Sequence, residues 1–148
     1  MSGDLHGTAT GRLRTIRQRY TGQRRRLVEL LADGGHPMTI ADILAVGSGL
    51  KQSSVYRNLA DLEQAGVVRR VTTDEGFGRY ELAEDLIGHH HHLVCSRCGK
   101  IRDVDVPGAV EGTLDRTLDR IAKRAGFARV SHRLDLVGLC AECAAGAR

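Results

Sequence analysis

Residues 52–66 read QSSVYRNLADLEQAG, and three apolar positions within them decide the fold of the first half. Val55, Leu59 and Leu62 recur at helical spacing, and Gly66 supplies the left-handed C-terminal cap. Upstream, Thr21 reads as an N-cap, followed by Leu27, Leu30 and Leu31 up to a stop at Gly34-Gly35. Thr39 then caps a short helix with Ile40, Ile43 and Leu44 on one face, and 47–49 (Gly-Ser-Gly) breaks it. Downstream, two β-rich runs, 67–71 and 77–82, flank a polar turn holding Asp74, Glu75 and Gly76, the pattern of a hairpin. Three short helices and a hairpin make a winged helix-turn-helix, with residues 1–10 expected to be irregular.

Burying Val55, Leu59 and Leu62 turns Ser53, Tyr56 and Arg57 to solvent. In a helix-turn-helix the N-terminal part of the second helix enters the major groove. There Arg57 can fork onto a guanine, worth about 1–3 kcal/mol of discrimination. The Tyr56 ring can pack on a thymine methyl, and Lys51, Ser53 and Ser54 can hold phosphates. The competing reading packs Tyr56 on the wing and leaves Arg57 in a surface ion pair.

Bulk properties are those of a soluble globular protein. The chain has 148 residues with 41% hydrophobic and 27% charged content, enough for one ordinary domain or two small ones. No apolar run approaches the ~20 residues that span a bilayer, and no secretory signal opens the sequence. A cytoplasmic protein with no membrane partner is therefore expected. Net charge is only +4, but seven arginines (12, 14, 17, 19, 24, 25 and 26) face the single acid Asp4 before residue 28. That field suits nucleic acid or anionic lipid, or is a solvated basic tail. With three tyrosines and two phenylalanines, a stacking single-strand binder is disfavoured.

The second half changes character at residues 89–100, HHHHLVCSRCGK. Cys95-x-x-Cys98 and Cys140-x-x-Cys143 are two knuckles whose thiolates can close a tetrahedral structural zinc site. A redox pair or two disulfides is the lesser reading. Four thiolates saturate one zinc, so the histidines need another use. In an extended run, alternate side chains face opposite ways: His90 and His92 on one side, His89 and His91 on the other. One run can thus serve two further metal sites. Strands are expected at 91–95, 100–104 and 130–139, with an amphipathic helix over 109–125 carrying Val110, Leu114, Leu118 and Ile121. This unit is too small to bury a core alone, so zinc and a second copy should complete it. The expected class is α+β: a winged-helix DNA-binding domain, 1–84, and a small α/β metal-binding dimerisation domain, 85–148, joined by a hinge near 83–88.

The segments SSVYRNLADLEQAGVV, GRYEL, HHHHLVCSRCGKI, SHRLDLVGLC and CAEC together resemble the ferric uptake regulator (Fur) superfamily of bacterial metal-dependent repressors. The resemblance runs in the family's order from about residue 21 to 143. It implies a homodimer that binds palindromic operator DNA when a corepressor metal is bound. It places a regulatory site on His36, Glu81, His90 and His92, and a second site on His89, His91, Glu111 and His132. It also aligns Arg19 with a basic residue that enters the minor groove, and Tyr56 and Arg57 with a base-reading pair. Zinc is implied at the cysteines, and zinc or iron(II), with manganese(II) a further candidate, at the regulatory site. An aspartate near Arg69 and a cysteine near Ala83, sought in actinobacterial zinc regulators, are missing. His36-Pro37 and Asp103 are reminiscent of the peroxide-sensing branch, which is the alternative within the superfamily. Outside it stand a zinc-dependent hydrolase and a zinc-stabilised interaction module. Neither H-E-x-x-H nor H-x-E…C-x-x-C occurs, so an enzyme is not expected.

Overall fold

The computed structural model describes residues 4–73, 76 and 78–146. The chain divides into two compact units, Met1–His89 and His90–Arg148. The first contains α1 (Leu5–Thr15), α2 (Gly22–Gly34), α3 (Ile40–Val46), α4 (Gln52–Gln64), β1 (Val68–Thr72), β2 (Gly78–Leu82) and α5 (Glu84–Ile87).

The opening helix corrects the expectation of an irregular start. Leu5, Ala9 and Leu13 recur every fourth residue, and Ala9 and Leu13 are completely buried. Gly7, Gly11 and the threonines of this segment are weak helix formers, so the local signal is faint and tertiary packing supplies the stability. Arg12 then anchors the far end: its guanidinium donates to the Gly66 carbonyl at 2.5 Å and pairs with Asp85 on α5. That contact holds the Asp85 carboxyl below the usual carboxylate range.

The expected stops and starts act where the sequence places them. The Thr21 hydroxyl accepts from Arg24 N at 3.4 Å, and Gly35 closes α2 at φ 61°. Thr39 and Asp42 form a reciprocal capping box at 3.1 and 2.8 Å. Burial pushes the Asp42 carboxyl up, but the Thr39 hydrogen bonds and Arg79 outweigh it and leave it low. Leu27, Val28 and Leu31 of α2, Ile43 of α3, and Val55, Leu59 and Leu62 of α4 meet Val68, Tyr80 and Leu82 of the hairpin in one core. β1 and β2 are antiparallel, from Val68↔Leu82 to Thr72↔Gly78, and Met38 bridges to Tyr80 on the free side of β2. Of the expected hairpin turn, Asp74 and Glu75 lie outside the described residues, as does Phe77.

The second unit contains β3 (His91–Cys95), β4 (Ile101–Val104), α6 (Gly108–Arg124), β5 (Asp135–Gly138) and α7 (Ala141–Ala145). The sheet order is β4-β3-β5, with β4 antiparallel and β5 parallel to β3. The strand expected over 130–139 is only four residues long. Its pairing runs in parallel from His92↔Asp135 to Cys95↔Gly138, so 130–133 fall opposite residues that precede the start of β3 at His91. Among the described residues of this unit the buried side chains are Cys95, Ile101, His91 and His92. α6 buries none of its residues, and Val110, Ile121, Leu136, Val137 and Leu139 are exposed. No helix among the described residues is long and apolar enough to cross a membrane.

Because α1 belongs to the core, Leu13→Ala should cost about 2–5 kcal/mol of stability. Urea unfolding followed by circular dichroism checks this, as a lower midpoint at unchanged slope.

Candidate metal centres and DNA-reading surface

Cys95 ends β3, and a turn brings the chain back into β4: Gly99 N donates to Cys95 O at 3.0 Å with Gly99 at φ 70°. Ser96 N donates to Gly138 O at 2.8 Å, so the parallel strand delivers Cys140 beside the first knuckle. Cys140 N donates to Cys95 Sγ at 3.3 Å, and Arg97 donates to the Cys143 carbonyl at 2.9 Å. The sulfurs of Cys95, Cys98, Cys140 and Cys143 all lie within 4.8 Å of one another. Tetrahedral zinc with bonds of about 2.3 Å has sulfur–sulfur edges of about 3.8 Å. Cys98 and Cys140 already stand at 3.8 Å, so the donor set fits that ion. Backbone N–H groups of Cys140, Cys98 and Arg97 bring the Cys95 thiol down to about 6. Hydrogen bonding to Cys140 and Cys98, with burial, pushes Cys143 up to about 12. A fourth negative charge among these sulfurs is thus disfavoured until a cation neutralises the others.

The histidines separate as strand alternation requires. His91, 2% exposed, turns towards α6, where its Nε2 lies 3.0 Å from Glu111. Glu111 also meets His132 Nε2 at 2.8 Å, and the two imidazoles stack at 5.3 Å. Asp115, one turn on along α6, reaches His132 Nδ1 at 3.2 Å. His92 points the other way, its ring 5.1 Å from that of His90. It is flanked by an aspartate on each neighbouring strand: Asp135 at 3.1 Å from Nδ1 and Asp103 at 3.9 Å from Nε2. Sequence reading noted Asp103 but missed Asp115 and Asp135. The first sits one helical turn after Glu111, and the second needs the β3–β5 register, which sequence does not display.

The remaining expected ligands belong to the first unit. Glu81, on β2, is buried and bound at 2.5 Å by Arg69, its cross-strand neighbour. His36 is exposed in the link between α2 and α3, its Nδ1 2.6 Å from the Gly34 carbonyl. His89, the last residue of that unit, is paired with Glu84.

On the surface expected to read DNA, Lys51 is the N-cap of α4, and Lys51, Ser53, Tyr56 and Arg57 are exposed, with Ser54 half-buried. Tyr56 is 54% exposed, so it is not sequestered under the wing. It lines an open groove of about 630 Å³ between α3, α4 and the hairpin, shared with Gln52, Arg70 and Tyr80. Arg19 is exposed in the link between α1 and α2. The basic segment is less uniform than its composition suggests. Arg24 is turned into the protein and Arg12 is engaged with Asp85, so neither adds to an outward field.

The sequence model of the ferric uptake regulator family matches residues 16–137. The chain belongs to this family. Its relatives include the ferric uptake regulation protein of Neisseria meningitidis serogroup B, 30% identical over 132 residues, covering 86% of this chain and 87% of that one. The peroxide operon regulator of Bacillus subtilis is 32% identical over 130 residues, covering 84% and 83%. Among solved structures, the Helicobacter pylori ferric uptake regulator, reported to have three functional metal binding sites, aligns with a TM-score of 0.71 at 26% identity, covering 97% of this chain and 95% of that one. A zinc-bound manganese uptake regulator aligns at 0.65 and 29%, covering 93% and 99%. Members of the ferric uptake regulator family are metal-responsive transcription regulators rather than enzymes.

Glu111 is the shared acceptor of two imidazoles, so Glu111→Ala should destabilise the metal-free protein by about 1–3 kcal/mol. Calorimetry after exhaustive chelation checks this, with Arg116→Ala, farther along α6, as a control of little effect.

Proposed function

We propose that this chain is a metal-responsive repressor that binds palindromic operator DNA as a homodimer and controls iron or zinc homeostasis genes. The observation that carries the reading is the sorting of donors in the second unit. A four-sulfur set sits at one end of β3, and histidines of opposite orientation sit at the other.

In this reading Cys95, Cys98, Cys140 and Cys143 hold structural zinc. His36, Glu81, His90 and His92, with Asp103 adjoining, form the regulatory site, and His89, His91, Glu111 and His132 the second. Imidazole and carboxylate donors suit zinc, iron(II) and manganese(II) alike. A bound regulatory ion would draw lone pairs from both halves of the chain and so favour the arrangement in which all donors converge. The residues of the chain do the rest. Arg69 holds the Glu81 carboxylate in place on β2, and Asp135 orients the His92 ring from its Nδ1 side. The exposed apolar side chains of this unit, among them Val110, Ile121, Leu136 and Leu139, are covered by a second copy of the chain. Two α4 helices, each presenting Tyr56 and Arg57, then face the two half-sites of a palindrome.

A peroxide-sensing variant of the same function is the second reading. It is favoured by the carboxylates flanking His92 and by the relation to the Bacillus subtilis peroxide operon regulator. Loss of DNA binding on peroxide treatment of the iron-loaded but not the zinc-loaded protein would select it.

Fluorescence anisotropy on duplexes enriched from a random pool, at buffered free zinc, iron(II) or manganese(II), tests the main reading. The His90→Ala/His92→Ala protein should lose metal-dependent binding by a factor of about 100 while retaining its cysteine-bound zinc. Unchanged affinity under saturating levels of all three ions would overturn the regulatory site. Sedimentation should show a dimer for both proteins.

A further inference from the structure

We propose that Arg24 is a positioning residue for DNA reading: it locks the link that carries Arg19 to the helix that carries Tyr56 and Arg57. The inference rests on the DNA-binding reading above and deepens it by naming what sets the geometry between two groove contacts.

Arg24 lies in the first turn of α2 and is 7% exposed. Its guanidinium spends every nitrogen on a different neighbour. Nη1 donates to the Arg19 carbonyl at 2.5 Å, and Nη2 donates to Gln18 Oε1 at 3.0 Å. Nε donates to Asn58 Oδ1 at 3.1 Å, and Nη2 also pairs with the Asp61 carboxylate. Gln18 and Arg19 belong to the link before α2, whereas Asn58 and Asp61 stand on α4. Asn58 returns a second bond to α2, from Nδ2 to Gln23 Oε1 at 3.2 Å.

The link is held at other points as well. Arg17 takes the left-handed conformation at φ 58°, Gln18 N donates to Leu13 O at 2.9 Å, and Tyr20 Oη lies 2.8 Å from His6 Nδ1. The Arg19 backbone is therefore fixed while its side chain remains exposed. A buried ion pair stabilises no better than apolar packing of equal volume, so stability alone is a poor account of this one. Its geometry is the better account. The planar fork reaches acceptors in fixed directions, which a lysine ammonium does not reproduce. A side chain entering the minor groove and a helix seated in the major groove can bind together only if their separation is set beforehand.

The test uses the full-length zinc-loaded protein and two duplexes. One is enriched from a random pool by the wild-type chain, and the other has its flanking A·T pairs replaced by G·C. A narrow A·T minor groove favours an inserted arginine, so the ratio of the two affinities reports the Arg19 contact. Arg19→Ala should lower affinity for the first duplex about tenfold and abolish the ratio. Arg24→Lys should do the same with the Arg19 side chain present. In the Arg19→Ala background, it should change affinity by less than about twofold. Equal loss on both duplexes, or an effect that adds to that of Arg19→Ala, would overturn the positioning role. If Arg24→Lys fails to fold, Asn58→Ala/Asp61→Ala carries the same comparison, since it removes both acceptors on α4 and leaves Arg24 its bonds to Gln18 and Arg19. A wild-type chain that binds no duplex sinks the DNA reading and this role together. Wild-type binding with additive variants sinks this role alone.

Discussion

The second unit has almost no apolar interior. Among its described residues the buried side chains are Cys95, Ile101, His91 and His92, while its 17-residue helix α6 buries nothing and β5 is exposed along its length. Burial of so little hydrocarbon cannot offset the conformational entropy of ordering the unit. Its stability must be linked to what its polar interior binds and to what covers its apolar face. Ion binding, association and folding become one equilibrium in such a unit. Sensitivity to metal is then a property of the fold, not an addition to it.

The first unit is built on the opposite plan. Helices α1 to α4 and the hairpin share a continuous apolar core, and its charged groups are organised around that core. Arg12 ties α1 to Gly66 and Asp85, Arg24 ties α2 to α4, and Arg69 ties β1 to Glu81. The first unit thus carries its own apolar core, whereas the buried groups of the second are mostly sulfur and imidazole donors.

Much of this was legible in the sequence because it is local. Val55, Leu59 and Leu62, the Thr39 cap, the glycine stop after α2 and the two cysteine knuckles act within a few residues of themselves. The family membership followed from those same short segments. What escaped was set by tertiary context. Helix α1 hides behind two glycines, and only burial of Ala9 and Leu13 reveals why it forms. β5 is cut short by the length of β3, a constraint written in a different part of the chain. Arg24 looks in sequence like any other arginine of a basic run, and Asp135 looks like a solvated acid. Each acquires its role from a neighbour more than thirty positions away.

The clasp between Cys95 and Cys140 joins residues 45 positions apart, across a parallel strand pair. On the ribosome this separation becomes a delay on the order of seconds. Throughout it, the first unit has all its residues available, whereas the first knuckle is an open dithiol awaiting its counterpart. The nascent chain therefore passes through a stage at which its first unit can fold while its second cannot yet close. During that interval, the reducing power of its surroundings decides whether the knuckle survives to be closed.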